Sequence, residues 1–519
     1  MAIEPDGSNE GGEHAALLAQ AGRLIHEGRA AAALELAEGF LASHPTRRAV
    51  VPLQLRAQLL LSLGRPVQAI AAYRDAVAAA PSDARLALGL AIACGEGGMP
   101  EAAEAAARDA ISKGFDGPTP RFVLGRALFE QDRLDEAETE FRRVIATHPG
   151  HVAAHTSLAE LVWMRTGDLK AACAAIGAGG GSQPTIELQM VRARLLHDAG
   201  ASERAGAELA PLLRVHPHHV ELHVLAAQCA LASDPTDALA LVEHALRLAP
   251  HHRPAKGLRG DILLAHGRVG EAAGLAESLL AQDPDDAHAL ALQAAAWRSL
   301  GDPRYRALYD YPRLVRSCRI DVPPGWPDLR TYLRDLSASL QVRHDRLQAH
   351  PPAQSARSGT QVELRLAGAD AAVRAFPLAV EGPIRRYMEA LKAGPNDAFS
   401  RRAAGGYRFT GLWSVRLRPH GHHANHYHGK GWISPACHLD VPASVSDGDR
   451  GGWLKFGEPG IPMALALPAE HYVKPEPGLL TLFPSWMWHG TVPFSGAPGE
   501  HRLSIAFDLV PAERQDQSD

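Results

Sequence analysis

The chain is poor in cysteine, nearly balanced in charge and free of long apolar runs, and each shortage removes a class of protein. Only five cysteines occur in 519 residues (Cys94, Cys173, Cys229, Cys318 and Cys437), with no CxxC pair among them. Dispersed and odd in number, they argue against a disulfide scaffold and fit a reducing compartment, so a cytoplasmic location is expected. Cys437 alone falls near the chemistry described below, and reads as a small strand residue rather than a nucleophile. Lys and Arg number 53 against 58 Asp and Glu, a formal charge of −5. Without a basic surplus there is no electrostatic ground for nucleic acid or an anionic membrane as partner. No run of about 18 apolar residues provides a spanning helix. The opening MAIEPDGSNEGGEH lacks the apolar core of a secretion signal. At this length two or more domains are expected.

What is present divides near residue 303. Before it the sequence is rich in Ala and Leu at helical spacing. Pro45, Pro81, Pro149, Pro217, Pro250 and Pro284 each close a helical segment, at steps of 36, 68, 68, 33 and 34 residues. The two long steps are two units each. Leu124, Gly125, Ala137, Phe141 and Pro149 mark the clearest unit, and the same frame holds Ala69, Tyr73 and Pro81, then Gly260, Ala272 and Pro284. Small residues recur where two helices cross closely, and the bulky residue fills the gap. A period of about 34 residues with these features resembles tetratricopeptide repeats, pairs of antiparallel helices that stack into a superhelix. The resemblance implies a protein or peptide partner, or a scaffold role, for residues 13–302. Residues 175–186 are a Gly-rich interruption, and 1–12 are expected to be disordered.

Residues 303–400 read as a linker with helical support: Pro323 to Pro327 as a turn, a helix over 328–347, a polar loop from His350 to Gln361, and one or two helices over 367–393 broken at Pro377 and Pro383. From about 401 to 511 the period becomes two. YRFTGLWSVRLRP, HANHYH, WISPACHLDVP, GWLKFGE, GLLTLFP and HRLSIAFDLV are strand candidates between Gly, Pro and Asp turns, which suggests a sandwich or open barrel. Residues 512–519 are expected to be a disordered tail.

Five histidines, His420, His422, His423, His426 and His428, crowd nine positions of this half. On a strand, residues two apart share a face, so His426 and His428 can present imidazoles to one ion. His489, beyond Pro484-Ser-Trp-Met-Trp, suits a third ligand on a later strand, and such a facial set leaves positions open for a chelating cosubstrate and oxygen. His420, His422 and His423 read mainly as loop residues, and Asp440 is a weaker carboxylate candidate. Arg502 and Ser504 share a strand face thirteen residues after His489, where a guanidinium and a hydroxyl suit the far carboxylate of a small diacid. His438 reads either as a contact for that carboxylate or as a half-buried strand residue. Asn425, Arg357, Gln361 and Trp432 are candidates to support the ligands or face substrate, and the other tryptophans read mainly as core. The loop Ser444 to Gly452 has the composition of a lid.

Four blocks carry a second resemblance: His426-Tyr-His428-Gly-Lys-Gly-Trp432, Gly452-Trp-Leu-Lys-Phe-Gly457-Glu-Pro459, Leu482-Phe-Pro484-Ser-Trp-Met-Trp-His489-Gly-Thr491, and Arg502-Leu-Ser504-Ile-Ala-Phe507. Over about residues 405–511 they resemble the bacterial 2-oxoglutarate/Fe(II) oxygenases related to prolyl 4-hydroxylases, which often follow tetratricopeptide repeats. The resemblance implies an α+β domain with a double-stranded β-helix (jelly-roll) core and Fe(II) held by His426, His428 and His489. It further implies 2-oxoglutarate held by Arg502 and Ser504, with ascorbate as a possible reductant. One departure stands out: the related enzymes carry Asp where this chain has His428, which raises the charge of the iron site by one unit. The expected activity is hydroxylation of a protein or peptide. The competing readings are a repeat scaffold with an inactive or metal-sensing β-domain, and a three-histidine cupin-like dioxygenase or zinc hydrolase, for which Glu458 is the nearby acid.

Overall fold

A computed structural model describes residues 7–44, 50–177, 184–366, 368–392, 397, 399–445 and 448–512. It divides into two compact units, residues 1–161 with 177–183, and residues 162–176 with 184–519. The order is the expected one, helical repeats and then a strand-rich domain of antiparallel sheets.

The first unit is built of helix pairs such as Val50–Ser62 with Pro66–Ala79, and Pro118–Glu130 with Leu134–Thr147. In Leu134–Thr147 the buried side chains are Ala137, Glu140, Phe141, Val144 and Ile145, a single stripe at helical spacing. The crossing is as tight as the small residues suggest: a Cβ on Gly125 would stand 2.7 Å from the Phe141 ring. Pro81, Pro149, Pro217, Pro250 and Pro284 each lie two residues past the end of a helix. Pro45, residues 178–183 of the Gly-rich interruption and the tail from residue 513 lie outside the described residues. The first helix, Gly7–His26, begins inside the stretch expected to be disordered. Leu17 and Ala21 lie in the core with Leu24 packed against it, and the helix runs back from them to Gly7.

In the second unit the repeats continue through Ile186–Asp198, Ser202–Val215, Val220–Ala230, Pro235–Leu248, Arg253–Ala265, Val269–Gln282 and Ala287–Leu300. The chain then enters the strand domain without a linker, which corrects the reading of residues after 303. Tyr305, Tyr309 and Tyr311 are buried, and the Tyr309 hydroxyl accepts the backbone N–H of Trp488 at 3.0 Å. Ile461 and Met463 pack on the core of the last repeats.

Nine strands follow among the described residues: β1 Arg316–Arg319, β2 Ala356–Glu363, β3 Tyr407–His423, β4 Ala436–Asp440, β5 Leu454–Phe456, β6 His471–Val473, β7 Leu479–Leu482, β8 His489–Thr491 and β9 Arg502–Pro511. One antiparallel sheet runs β1-β7-β4-β9-β3-β2, and a second runs β6-β5-β8. The polar segment expected as a loop up to Gln361 is half strand, because β2 pairs with β3 from Arg357↔His422 to Glu363↔Trp413. Helix Leu329–His344 matches its expected span, and a second helix covers Phe376–Lys392. Pro383 does not break that helix. Proline has no N–H for the carbonyl four residues back, and here the freed Ala379 carbonyl accepts the N–H of Asp321 at 2.8 Å.

Candidate metal centre and its cavity

His426 and His489 exchange both backbone hydrogen bonds, at 2.8 and 2.9 Å, as an antiparallel pair does. This bridge, rather than a long strand, fixes the HxH segment, since residues 424–432 contain no strand beyond it. The pairing sets the two imidazoles side by side with centroids 4.2 Å apart. His428, two residues on, returns to the same face, with its Nε2 3.2 Å from that of His426. Ligand atoms of His426, His428 and His489 all lie within 4.8 Å of one another. The two backbones approach closely here, for a Cβ on Gly490 would stand 2.9 Å from the His423 carbonyl oxygen.

Each ring is oriented from behind. His426 Nδ1 donates to the Ala424 carbonyl and His489 Nδ1 to the Met487 carbonyl, both at 2.8 Å. His428 Nδ1 donates to the Asp508 carboxylate at 2.6 Å. All three Nε2 atoms are thereby left as acceptors, the tautomer a metal requires. Burial also keeps His426 and His489 neutral, pushing His426 down to about 3 and His489 well below its usual range. Asp508 was absent from the sequence reading. Ser434 Oγ also donates to it at 2.6 Å, so its charge is held against His428.

The histidines open into a cavity of about 550 Å3, lined also by Arg502, Ser504, Asn425, Arg357, Gln361 and Trp413. Arg502, Ser504, Ala506 and Asp508 reach it as alternate residues of β9. Arg502 is 3 % exposed, and its Nε and Nη1 have no hydrogen-bond partner. Its Nη2 donates to His438 Nδ1 at 3.1 Å, which leaves the proton of His438 on an Nε2 that is also unpartnered. Desolvation pushes Arg502 down to about 10. The orphaned atoms are all donors, the complement of a carboxylate.

Other expectations fall differently. His438 is not on the cavity wall but behind it, against Arg502, and burial beside that cation keeps it neutral. Trp432 does not face the cavity: its indole is fully buried and donates to the Phe399 carbonyl, since its position between Gly431 and Ile433 turns it into the core. His423 does line the cavity, although the crowded run had placed it in a loop; it ends β3 and its Nδ1 meets Ser355 Oγ at 3.0 Å. Asp440 faces His501 instead, at 3.4 Å, and Glu458 pairs with Lys455 at 2.6 Å. Cys437 is buried in β4, its thiol pushed up by desolvation, as a packing residue should be. Residues 446–447 of the lid candidate lie outside the described residues.

Residues 411–508 match the family described as "Putative 2OG-Fe(II) oxygenase". Residues 55–118, 122–179 and 231–296 match tetratricopeptide repeat families. A prolyl-4-hydroxylase from Pseudomonas putida is similar at 16% identity, covering 39% of this chain and 96% of its own, with a TM-score of 0.28. A tetratricopeptide repeat protein from Parabacteroides merdae is similar at 18% identity, covering 47% and 97%, with a TM-score of 0.36. No curated protein matches the chain. Along the chain, segments that match tetratricopeptide repeats therefore precede a strand-rich domain that matches the putative 2OG-Fe(II) oxygenase family.

Proposed function

We propose that the strand domain is an Fe(II)- and 2-oxoglutarate-dependent hydroxylase acting on a protein or peptide that the repeats recruit. The observation that carries this reading is the set of orphaned donors on Arg502, buried in the same cavity as the three histidines. A metal store or sensor has no use for an unpaired guanidinium there, and a zinc hydrolase would need a free general base where Glu458 is already paired. His426, His428 and His489 fit a facial ligand set, and Asp508 supplies the missing negative charge through His428. Arg502 and Ser504 hold the far carboxylate of the diacid. Iron with 2-oxoglutarate supplies the oxidising power; the protein's own part is to orient the two and exclude water. A cavity of about 550 Å3 leaves room for one side chain beside the diacid.

Anaerobic titration of the protein with Fe(II) and then 2-oxoglutarate tests the assignment. A visible charge-transfer band is expected for such a chelate, and it is lost in Arg502→Met. An absent band in the unaltered protein, or the same band in the variant, overturns the reading. Succinate release without added substrate then separates a live centre from an inactive one.

A further inference from the structure

The HxH segment is not held by the strand domain alone. Tyr427 stands between His426 and His428, and alternation turns its side chain away from theirs. Its hydroxyl is hydrogen-bonded to His288 Nδ1, on the repeat helix Ala287–Leu300. The other nitrogen of His288, Nε2, lies 3.5 Å from Asp261 Oδ1 on the preceding repeat. Nε2 itself makes no hydrogen bond, so the ring is held through Nδ1, with the Tyr427 hydroxyl as the donor. Gly257 makes room for the ring, since a Cβ at that position would stand 3.2 Å from it.

The third ligand is tied to the same helix. Trp488, directly before His489, packs edge-on against Tyr427 with centroids 4.9 Å apart, and its indole N–H donates to the Ala291 carbonyl at 3.1 Å. His288 and Ala291 are three residues apart and share one helix face. Both backbone stretches that carry metal ligands are therefore pinned to one turn of the repeats.

We propose that this helix is a working part of the metal centre, with His288 acting through Tyr427 as a positioning residue for His426 and His428. The inference rests on the three-histidine reading above. Groups that orient a ligand from outside the coordination sphere typically change metal affinity by about 10- to 100-fold.

The test uses the full chain and Co(II), whose visible bands report both affinity and ligand geometry. His288→Ala is expected to weaken Co(II) binding about tenfold and to shift the bands. His288→Asn, which can still accept from the Tyr427 hydroxyl, restores both in large part. Tyr427→Phe keeps the ring against Trp488 and reproduces the alanine result, which covers the case of an alanine variant that folds poorly. Wild-type affinity and bands in both Tyr427→Phe and His288→Ala overturn the proposal while leaving the three-histidine site intact. A wild-type chain that binds no Co(II) overturns that site and this inference with it.

Discussion

Asp508 shares a strand face with Arg502 and Ser504, yet the proposed centre gives them different work: Asp508 orients His428, and the other two hold the diacid. Asp508→Asn keeps the shape and a hydrogen bond to His428 but removes the charge. Fe(II) affinity in competition with a chromophoric chelator is expected to fall by about 10- to 100-fold, with thermal unfolding little changed. Arg502 has the opposite balance. A guanidinium buried with two unpartnered nitrogens costs stability until an anion arrives. Arg502→Met fills the same space without that cost, so the metal-free variant should gain on the order of 1–3 kcal/mol in urea denaturation while losing 2-oxoglutarate binding. His426 and His428 were legible as a pair because residues two apart share a face, and the structure brings both beside His489. Asp508 was readable by the same rule, continuing the alternation 502, 504, 506, and went unread because FDLV looks like plain strand. His438 and Trp432 show the limit: parity gives a face of a strand but not which neighbour covers it.

At the scale of elements, the junction of helix Leu329–His344 with β2 and β3 has a pH-dependent weak point. His344 is fully buried, and its two nitrogens meet Thr360 Oγ1 and Ser414 Oγ, each at 2.8 Å. Burial pushes it from the ordinary 6.5 down to about 3. Between those values the unfolded chain binds a proton that the folded one refuses, so stability is full above about pH 6.5 and falls as the pH drops toward 3. One such group changes unfolding free energy by about 1.4 kcal/mol per pH unit in that window. Urea midpoints measured from pH 7 to 5 should therefore fall less steeply in His344→Gln than in the wild type. If the two slopes coincide, His344 is not the group responsible. The helix itself was expected from its apolar spacing, whereas β2 was hidden by Gly359 and its polar neighbours, which look like loop until β3 pairs with them.

For the whole molecule, composition and structure place the principal boundary differently. The change near residue 303 is real in sequence, but no folding boundary accompanies it: Arg298 donates to the Gly457 carbonyl at 2.8 Å, and Tyr305 is hydrogen-bonded to Glu470. The two compact units part instead near residue 162. A chain starting at Val162 is accordingly expected to keep wild-type Co(II) affinity. One starting at Pro303 exposes Trp488 and Tyr427 and should lose metal binding and bind a hydrophobic dye. Equal metal binding by the two chains would show that the repeats are dispensable for the site. Long-range pairs such as Trp488 with Ala291 leave no mark in periodicity, which is why the join was not foreseen.

The tie between His288 and Tyr427 also has a direction in time. Translation proceeds from the amino terminus, so the last repeat helix leaves the ribosome well before the segments that carry the ligands. The 138 residues from His288 to His426 take on the order of ten seconds to synthesise. During that interval the helix can dock on the repeats before it. The histidine-bearing segments then emerge beside a surface that is already folded, and their entry into register is templated rather than searched for.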